Sequence, residues 1–442
     1  MRRNPFGWLG ILLAGGVALT ASAERIRPGA PGGTPPALVK RAPSVNKGRT
    51  GKYQCHTGHS GYDYWVYVPS GYSDDNPAGL HLHFHGQSNQ DSAPEFGWWD
   101  KFFLEPYNLI GIDMQYQDGD NITDTAGKTA AAWEAVTQTL ADYKIVAGRG
   151  VVSCFSGGGL PAGLLVSKYA RAATPPGPEW PFCHMSLYSS NYRDVITDAP
   201  PMTWFISVGT AEWTLAGAGL GDSQTGRMAD LLRLALKGGS PDLGLMIMKG
   251  KGHEMKEEER TASARMFPRS DLAYAPFLYA PDYPEKDLAP IVRDANALSL
   301  GKALKALDGL LARDAAPAAV KAKGERLRGR IAARVQAAAD LCRELAGTDP
   351  GLAEHYGRIF TRQLGDLPEV KAVKEALAEM RKKKEFAAAQ QCLPLLEKNF
   401  RTFFRGAGQL SPTAVPFVQD LQRMAGASSL FGSMAAEFLG LQ

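Results

Sequence analysis

The run Val151-Val152-Ser153-Cys154-Phe155-Ser156-Gly157-Gly158-Gly159 constrains the fold more than any other part of this chain. β-Branched residues favour a strand, and the glycines that follow permit a turn that a Cβ would obstruct. Leu160 to Tyr169 is then compatible with a helix. A strand that passes through Ser-Gly into a helix makes a strained turn that lifts the serine clear of the sheet, so small residues must flank it. Gly158 meets that need after the serine. Cys154, compact though not glycine, stands in the corresponding place before it.

The surrounding pattern supplies a sheet for this turn to sit on. From Tyr53 onward, short apolar runs alternate with helical stretches. The runs from Tyr64 to Val68, Leu80 to Phe84 and Leu109 to Met114 read as strands, and Thr129 to Tyr143 reads as a helix. Three further runs, His184 to Tyr188, Trp204 to Val208 and Leu245 to Met248, read as strands after the turn. Such alternation predicts a mostly parallel sheet with helices on both faces.

A serine hydroxyl becomes a nucleophile only beside a base, and the base needs a carboxylate to orient it. Both follow Ser156 in the chain. Glu212 stands just past the run that ends in Val208-Gly209, and His253 stands in Lys249-Gly250-Lys251-Gly252-His253, just past Met248. In an open parallel sheet, ligands gather outside the carboxyl ends of the strands, where all three candidates fall. Asp222 and Asp230 are alternative acids. The strand from Leu80 to Phe84 ends in His85-Gly86-Gln87. A backbone N–H of Gly86 or Gln87, with that of Gly157, makes a candidate oxyanion hole.

These residues carry a resemblance. The stretch from about Tyr53 to about Met255 resembles an α/β-hydrolase. It is most similar to the secreted esterase branch of polyhydroxybutyrate depolymerases, feruloyl and acetylxylan esterases and dienelactone-hydrolase-like proteins. The carrying residues are Tyr64-Trp65-Val66-Tyr67-Val68-Pro69 with Gly71-Tyr72, His85-Gly86, Phe155 to Gly159, Gly209 to Glu212, and Gly252-His253. The resemblance implies Ser156 as nucleophile, His253 as general base and acid, and Glu212 as the acid, where aspartate is commoner. It implies a carboxylic ester as substrate, polymeric or small, and no cofactor. A peptidase is the less favoured use of the same triad.

Two other classes compete. His81, His83 and His85 point to one face of a strand at period two, and three histidines together suggest a zinc hydrolase. A catalytically inactive hydrolase fold used for binding is the third reading, because fold does not fix activity. Trp98, Trp99, Tyr116 and Trp213 lie near the expected mouth and are candidates for the substrate pocket.

The ends of the chain read differently. Arg2-Arg3, the apolar stretch from Phe6 to Leu19 and Ala21-Ser22-Ala23 make a signal peptide over 1–23, which predicts a secreted or periplasmic protein with no membrane span after cleavage. Residues 24–49, rich in Pro, Gly, Arg and Ala, read as a flexible leader. The catalytic domain is expected over 50–270 and a linker, free to pack on it, over 271–289, because Pro268 to about Pro290 repeats proline and aromatic residues without helical period. A separate all-α domain follows over 290–442, where Ile331, Val335, Ala338, Leu341 and Leu345 keep helical spacing, as do Val370, Val373, Leu377 and Met380. That domain has no constellation suggesting chemistry and is a candidate surface for a protein or polymer. A net charge of +4 over 442 residues offers no argument for nucleic acid. The five cysteines leave at least one thiol unpaired in a monomer; Cys342 and Cys392 are candidates to pair, and Cys154 is expected to pack.

Overall fold

Eight strands form one sheet: β1 (Gly51–His56), β2 (Tyr62–Val68), β3 (Ala78–Phe84), β4 (Leu109–Tyr116), β5 (Ile145–Phe155), β6 (His184–Tyr188), β7 (Thr203–Gly209) and β8 (Leu243–Met248). Their order across the sheet is β1-β2-β4-β3-β5-β6-β7-β8. β2 runs antiparallel to both its neighbours, and every pair from β4 to β8 is parallel. The central strand β5 ends at Phe155, directly before Ser156. This is the α/β-hydrolase fold expected from the sequence. The computed structural model describes residues 45–59, 62–86, 96–116, 124–170, 180–190, 202–209, 242–248, 250–384, 386–387, 404–405, 409–426 and 429–440. The expected signal peptide and residues 24–44 of the leader lie outside the described residues. The end of the leader is anchored: Val45 N and Asn46 N donate to Asp142 Oδ1 at 2.8 and 3.0 Å.

The burial of each strand follows from its place. β3, β4, β6 and β7 are buried along their whole length, as parallel strands covered on both faces must be. β2 alternates buried and half-buried residues. β1 is an additional strand at the edge of the sheet. Its signal is a weak alternation, with Tyr53 and Cys55 buried between exposed neighbours.

Burial on both faces places polar side chains inside the sheet layers. His184 on β6 is fully buried, hydrogen-bonded to Thr203 Oγ1 through Nδ1 and 2.9 Å from Ser263 Oγ through Nε2. Burial, and secondarily the Arg269 charge, hold its imidazole down to about 3. The unfolded chain takes up this proton near pH 6.5, so folded stability falls as pH drops below that value, by about 1.4 kcal/mol per pH unit. Between pH 7 and pH 5 the wild type is expected to lose about 2 kcal/mol more than His184→Asn, read from urea midpoints. Equal losses in the two proteins would exclude this account.

The helix Glu257–Tyr274 lies against the sheet although it contains Pro268. The proline removes the N–H that would bond the Ala264 carbonyl, and the Tyr107 hydroxyl donates to that carbonyl instead, at 3.0 Å. Pro268 is the first of the repeated prolines and aromatic residues that suggest a linker here. Asp271 to Tyr274 instead complete this helix, and Leu278, Tyr283 and Leu288 beyond it are buried, so the stretch 271–289 is packed.

A layer of helices follows: Ala289–Asn296, Leu300–Leu311, Ala318–Thr348, Pro350–Leu364 and Pro368–Arg381. Ile331, Val335, Ala338 and Leu345 are buried at the expected spacing, with Leu341 packed at the margin. The turn at 349–350 follows ordinary capping chemistry: Asp349 Oδ1 accepts from Leu352 N at 3.0 Å, and Pro350 opens the helix.

The expectation of one separate helical domain running to 442 needs correction. The last helices, Val415–Ala425 and Leu430–Leu439, return to the sheet, where Val418, Leu421, Met434 and Phe438 join the core of β2 to β8. Glu437 accepts from Ile247 N on β8 at 2.9 Å, so the last helix covers an edge strand. Cys55, Cys154, Cys183 and Cys342 are buried free thiols; Cys392 lies outside the described residues.

Candidate active site

Ser156 follows β5 with φ at +49°, the left-handed region that a non-glycine residue enters at a cost of about 1–3 kcal/mol. The neighbouring glycines show why the turn tolerates nothing larger. A Cβ on Gly158 would lie 2.4 Å from the Phe84 carbonyl oxygen and 2.5 Å from that of His85. A Cβ on Gly86 would lie 2.8 Å from the Phe155 ring. These glycines bring the end of β3 against the turn, as an oxyanion hole built from the two would require. Cys154 fits before the turn because its Sγ is fully buried beside the Ser186 carbonyl oxygen, at 3.7 Å. Burial pushes its thiol up to about 12, so it is a packing residue.

His253 reaches the serine from the loop after β8. Its Nε2 lies 2.6 Å from Ser156 Oγ, and its ring packs on Phe155 with centroids 5.1 Å apart. The loop turns at Gly250, where φ is +74°, and Lys251 N donates to the Met248 carbonyl at 3.2 Å. Two residues far apart in the chain and proposed from pattern alone thus meet at hydrogen-bonding distance.

Other expected site residues divide into two groups. Glu212, Trp213 and Gln87 lie outside the described residues, as do the alternative acids Asp222 and Asp230. Trp98, Trp99, Tyr116, Gly86 and Gly157 are described. Trp98 is 44% exposed and carries the Arg260 guanidinium over its ring at 5.2 Å. Trp99 and Tyr116 correct the sequence reading. Trp99 is fully buried against His81, His83 and Phe103, and Tyr116 stacks on His85 with centroids 3.9 Å apart. Both are core rings closed to a substrate.

His81 and His83 do share one face of β3, with His85 directly after the strand, but all three are built into packing. His81 Nε2 and His83 Nδ1 lie 3.0 and 2.8 Å from a single hydroxyl, Ser153 Oγ. Burial, with the neighbouring His83 and His184, holds His81 well below the ordinary imidazole range. The ring nitrogen His85 Nδ1 lies 2.5 Å from the Gly86 carbonyl oxygen. Among the described residues, no group of three His, Cys, Asp or Glu side chains is placed to hold a metal ion.

Sequence reasoning missed the residues that contact the loops of this pair. Ser190 Oγ donates to the Ser156 carbonyl at 2.7 Å, and the buried Lys251 Nζ joins the buried Glu259 carboxylate to the half-buried Ser189 hydroxyl. The only hint of the serines is their place directly after a strand, and Glu259 lies in a helix that its proline conceals.

No family model matches the chain, and no curated protein matches it. Among solved structures, the chain is similar to the apo form of Thermogutta terrifontis esterase 2, at 17% identity over 48% of this chain and 87% of that one, with a TM-score of 0.35. It is also similar to a thermostable esterase, at 11% identity over 50% of this chain and 59% of that one, with a TM-score of 0.35. The strand order β1-β2-β4-β3-β5-β6-β7-β8, antiparallel only at β2, is what makes the fold that of an α/β-hydrolase.

Proposed function

We propose that the protein is a secreted or periplasmic serine esterase that hydrolyses carboxylic esters through an acyl-enzyme. The observation that carries this reading is the 2.6 Å approach of Ser156 Oγ to His253 Nε2, made by a serine held at positive φ on the end of the central strand. In this reading, His253 takes the Ser156 proton as the hydroxyl attacks the ester carbonyl. The N–H of Gly157, with that of Gly86 or Gln87, receives the charge that develops on the carbonyl oxygen. The tetrahedral adduct collapses, and His253 returns the proton to the leaving alcohol. Water, deprotonated by the same imidazole, then releases the acid and regenerates Ser156. Glu212 is assigned to His253 Nδ1, where a carboxylate fixes the tautomer. The chemistry calls on no cofactor.

Export is supported by Arg2-Arg3, the apolar stretch after it and Ala21-Ser22-Ala23. Among the described residues, no helix is long and apolar enough to cross a membrane. The ester is polymeric or small, and the helical layer is a candidate surface for a polymer or a protein.

A fluorophosphonate probe followed by peptide mapping tests the reading. The expected result is a single label on Ser156, lost in Ser156→Ala. Folded protein that takes no label would remove the activated serine and favour a binding role for the fold.

A further inference from the structure

Ser156 and His253 stand on different loops. Their 2.6 Å contact needs those loops held in register, because a misplacement of about 1 Å costs a catalytic pair roughly a hundredfold. Ser189 and Ser190, directly after β6, touch both. Ser190 Oγ donates to the Ser156 carbonyl at 2.7 Å, and Ser189 Oγ donates to the Glu254 carbonyl, next to His253, at 3.3 Å. Ser189 has φ at +48°, which turns the two neighbouring side chains toward different loops, and its N–H is tied to the Ser207 carbonyl on β7 at 2.9 Å. Gly159 leaves the space that Ser190 fills, since a Cβ there would lie 1.9 Å from Ser190 Oγ.

Behind these serines is a buried ion pair. Lys251 is 2% exposed and Glu259 is fully buried. Lys251 Nζ donates to Glu259 Oε1 at 2.5 Å and to Ser189 Oγ at 3.1 Å. The other oxygen, Glu259 Oε2, accepts from Lys256 N at 2.6 Å. One carboxylate therefore grips the loop on both sides of His253. A buried ion pair is seldom more stabilising than apolar residues of the same volume. The geometry it fixes gives this one a reason to exist.

We propose that Lys251 and Glu259 are positioning residues that set the reach of His253 to Ser156. Its consequence for rate rests on the serine-esterase reading. Lys251→Met with Glu259→Gln tests it, because the two changes remove both charges together and glutamine keeps an acceptor for Lys256 N. The full-length mature protein is assayed on p-nitrophenyl acetate, and its folded fraction is checked by thermal melting. The expected result is a kcat lower by about 10- to 100-fold with KM within about twofold. In a crystal structure of the variant, the Ser156 Oγ to His253 Nε2 separation is expected to exceed about 3.5 Å. A folded double variant that keeps the wild-type kcat overturns the proposal.

If the double variant does not fold, Ser189→Ala replaces it, since it cuts the link from Lys251 to the Glu254 carbonyl with little change of volume. A kcat lower by about fivefold at unchanged KM is then expected, and an unchanged kcat overturns the proposal. Wild-type protein inert to both the ester and the fluorophosphonate would sink the esterase reading instead. In that case the separation alone decides, and an unchanged distance in the variant overturns the positioning role.

Discussion

His253→Ala is expected to lower kcat on a small ester by roughly a millionfold while the protein stays folded. At 1.36 kcal/mol per decade, that is about 8 kcal/mol of lost transition-state stabilisation. The magnitude follows from the geometry. His253 Nε2 is the ring nitrogen 2.6 Å from Ser156 Oγ, and an unassisted serine hydroxyl is a poor nucleophile near neutral pH. Fold and function separate cleanly here, because His253 is exposed. Its truncation should move stability by no more than about 0.5 kcal/mol. The two members act as one unit, so Ser156→Ala combined with His253→Ala should lose no more than either change alone. Additive losses in the double variant would mean that Ser156 and His253 do not act on the same step.

The elbow and the histidine were legible in the sequence because each is written locally. A strand that runs into Ser-Gly-Gly-Gly specifies a turn, and the glycines that seemed permissive prove to be spaces filled by the Phe84 and His85 carbonyls and by Ser190 Oγ. The parallel strands were legible for the same reason, as short apolar runs at regular intervals. Trp99 and Tyr116 misled because position along the chain says where a residue begins and not which way its ring turns. Both rings turn inward, Trp99 onto His81 and His83 of β3 and Tyr116 onto His85 just after it. Lys251 and Glu259 could not be read at all. A lysine between two glycines looks like a solvated loop residue, and only the fold places Glu259 opposite it. The return of the last helices was equally hidden. An amphipathic helix records that it has a buried face, not which core receives it.

The largest expected loss of stability comes from Arg269→Met. Asp242 stands directly before β8 and is fully buried. Arg269 grips it with two parallel bonds, Nε to Oδ2 at 2.6 Å and one terminal nitrogen to Oδ1 at 2.7 Å. Tyr356, from the helix Pro350–Leu364, donates its hydroxyl to Asp242 Oδ2. Sheet, covering helix and helical layer therefore meet on one carboxylate. Removing the guanidinium leaves a buried charge with too few partners, and such truncations cost about 3–5 kcal/mol. The expected result is a urea midpoint lowered accordingly. Adding Asp242→Asn should recover about 2 kcal/mol, because the amide still accepts from Tyr356 and carries no charge to bury. Rate per folded molecule should not change. Asp242 sits at the start of β8 and His253 lies beyond its end, so about 20 Å of strand separates them. If Arg269→Met lowers kcat as far as it lowers stability, the helical layer does more than hold the sheet, and its grip reaches the histidine through the helix Glu257–Tyr274.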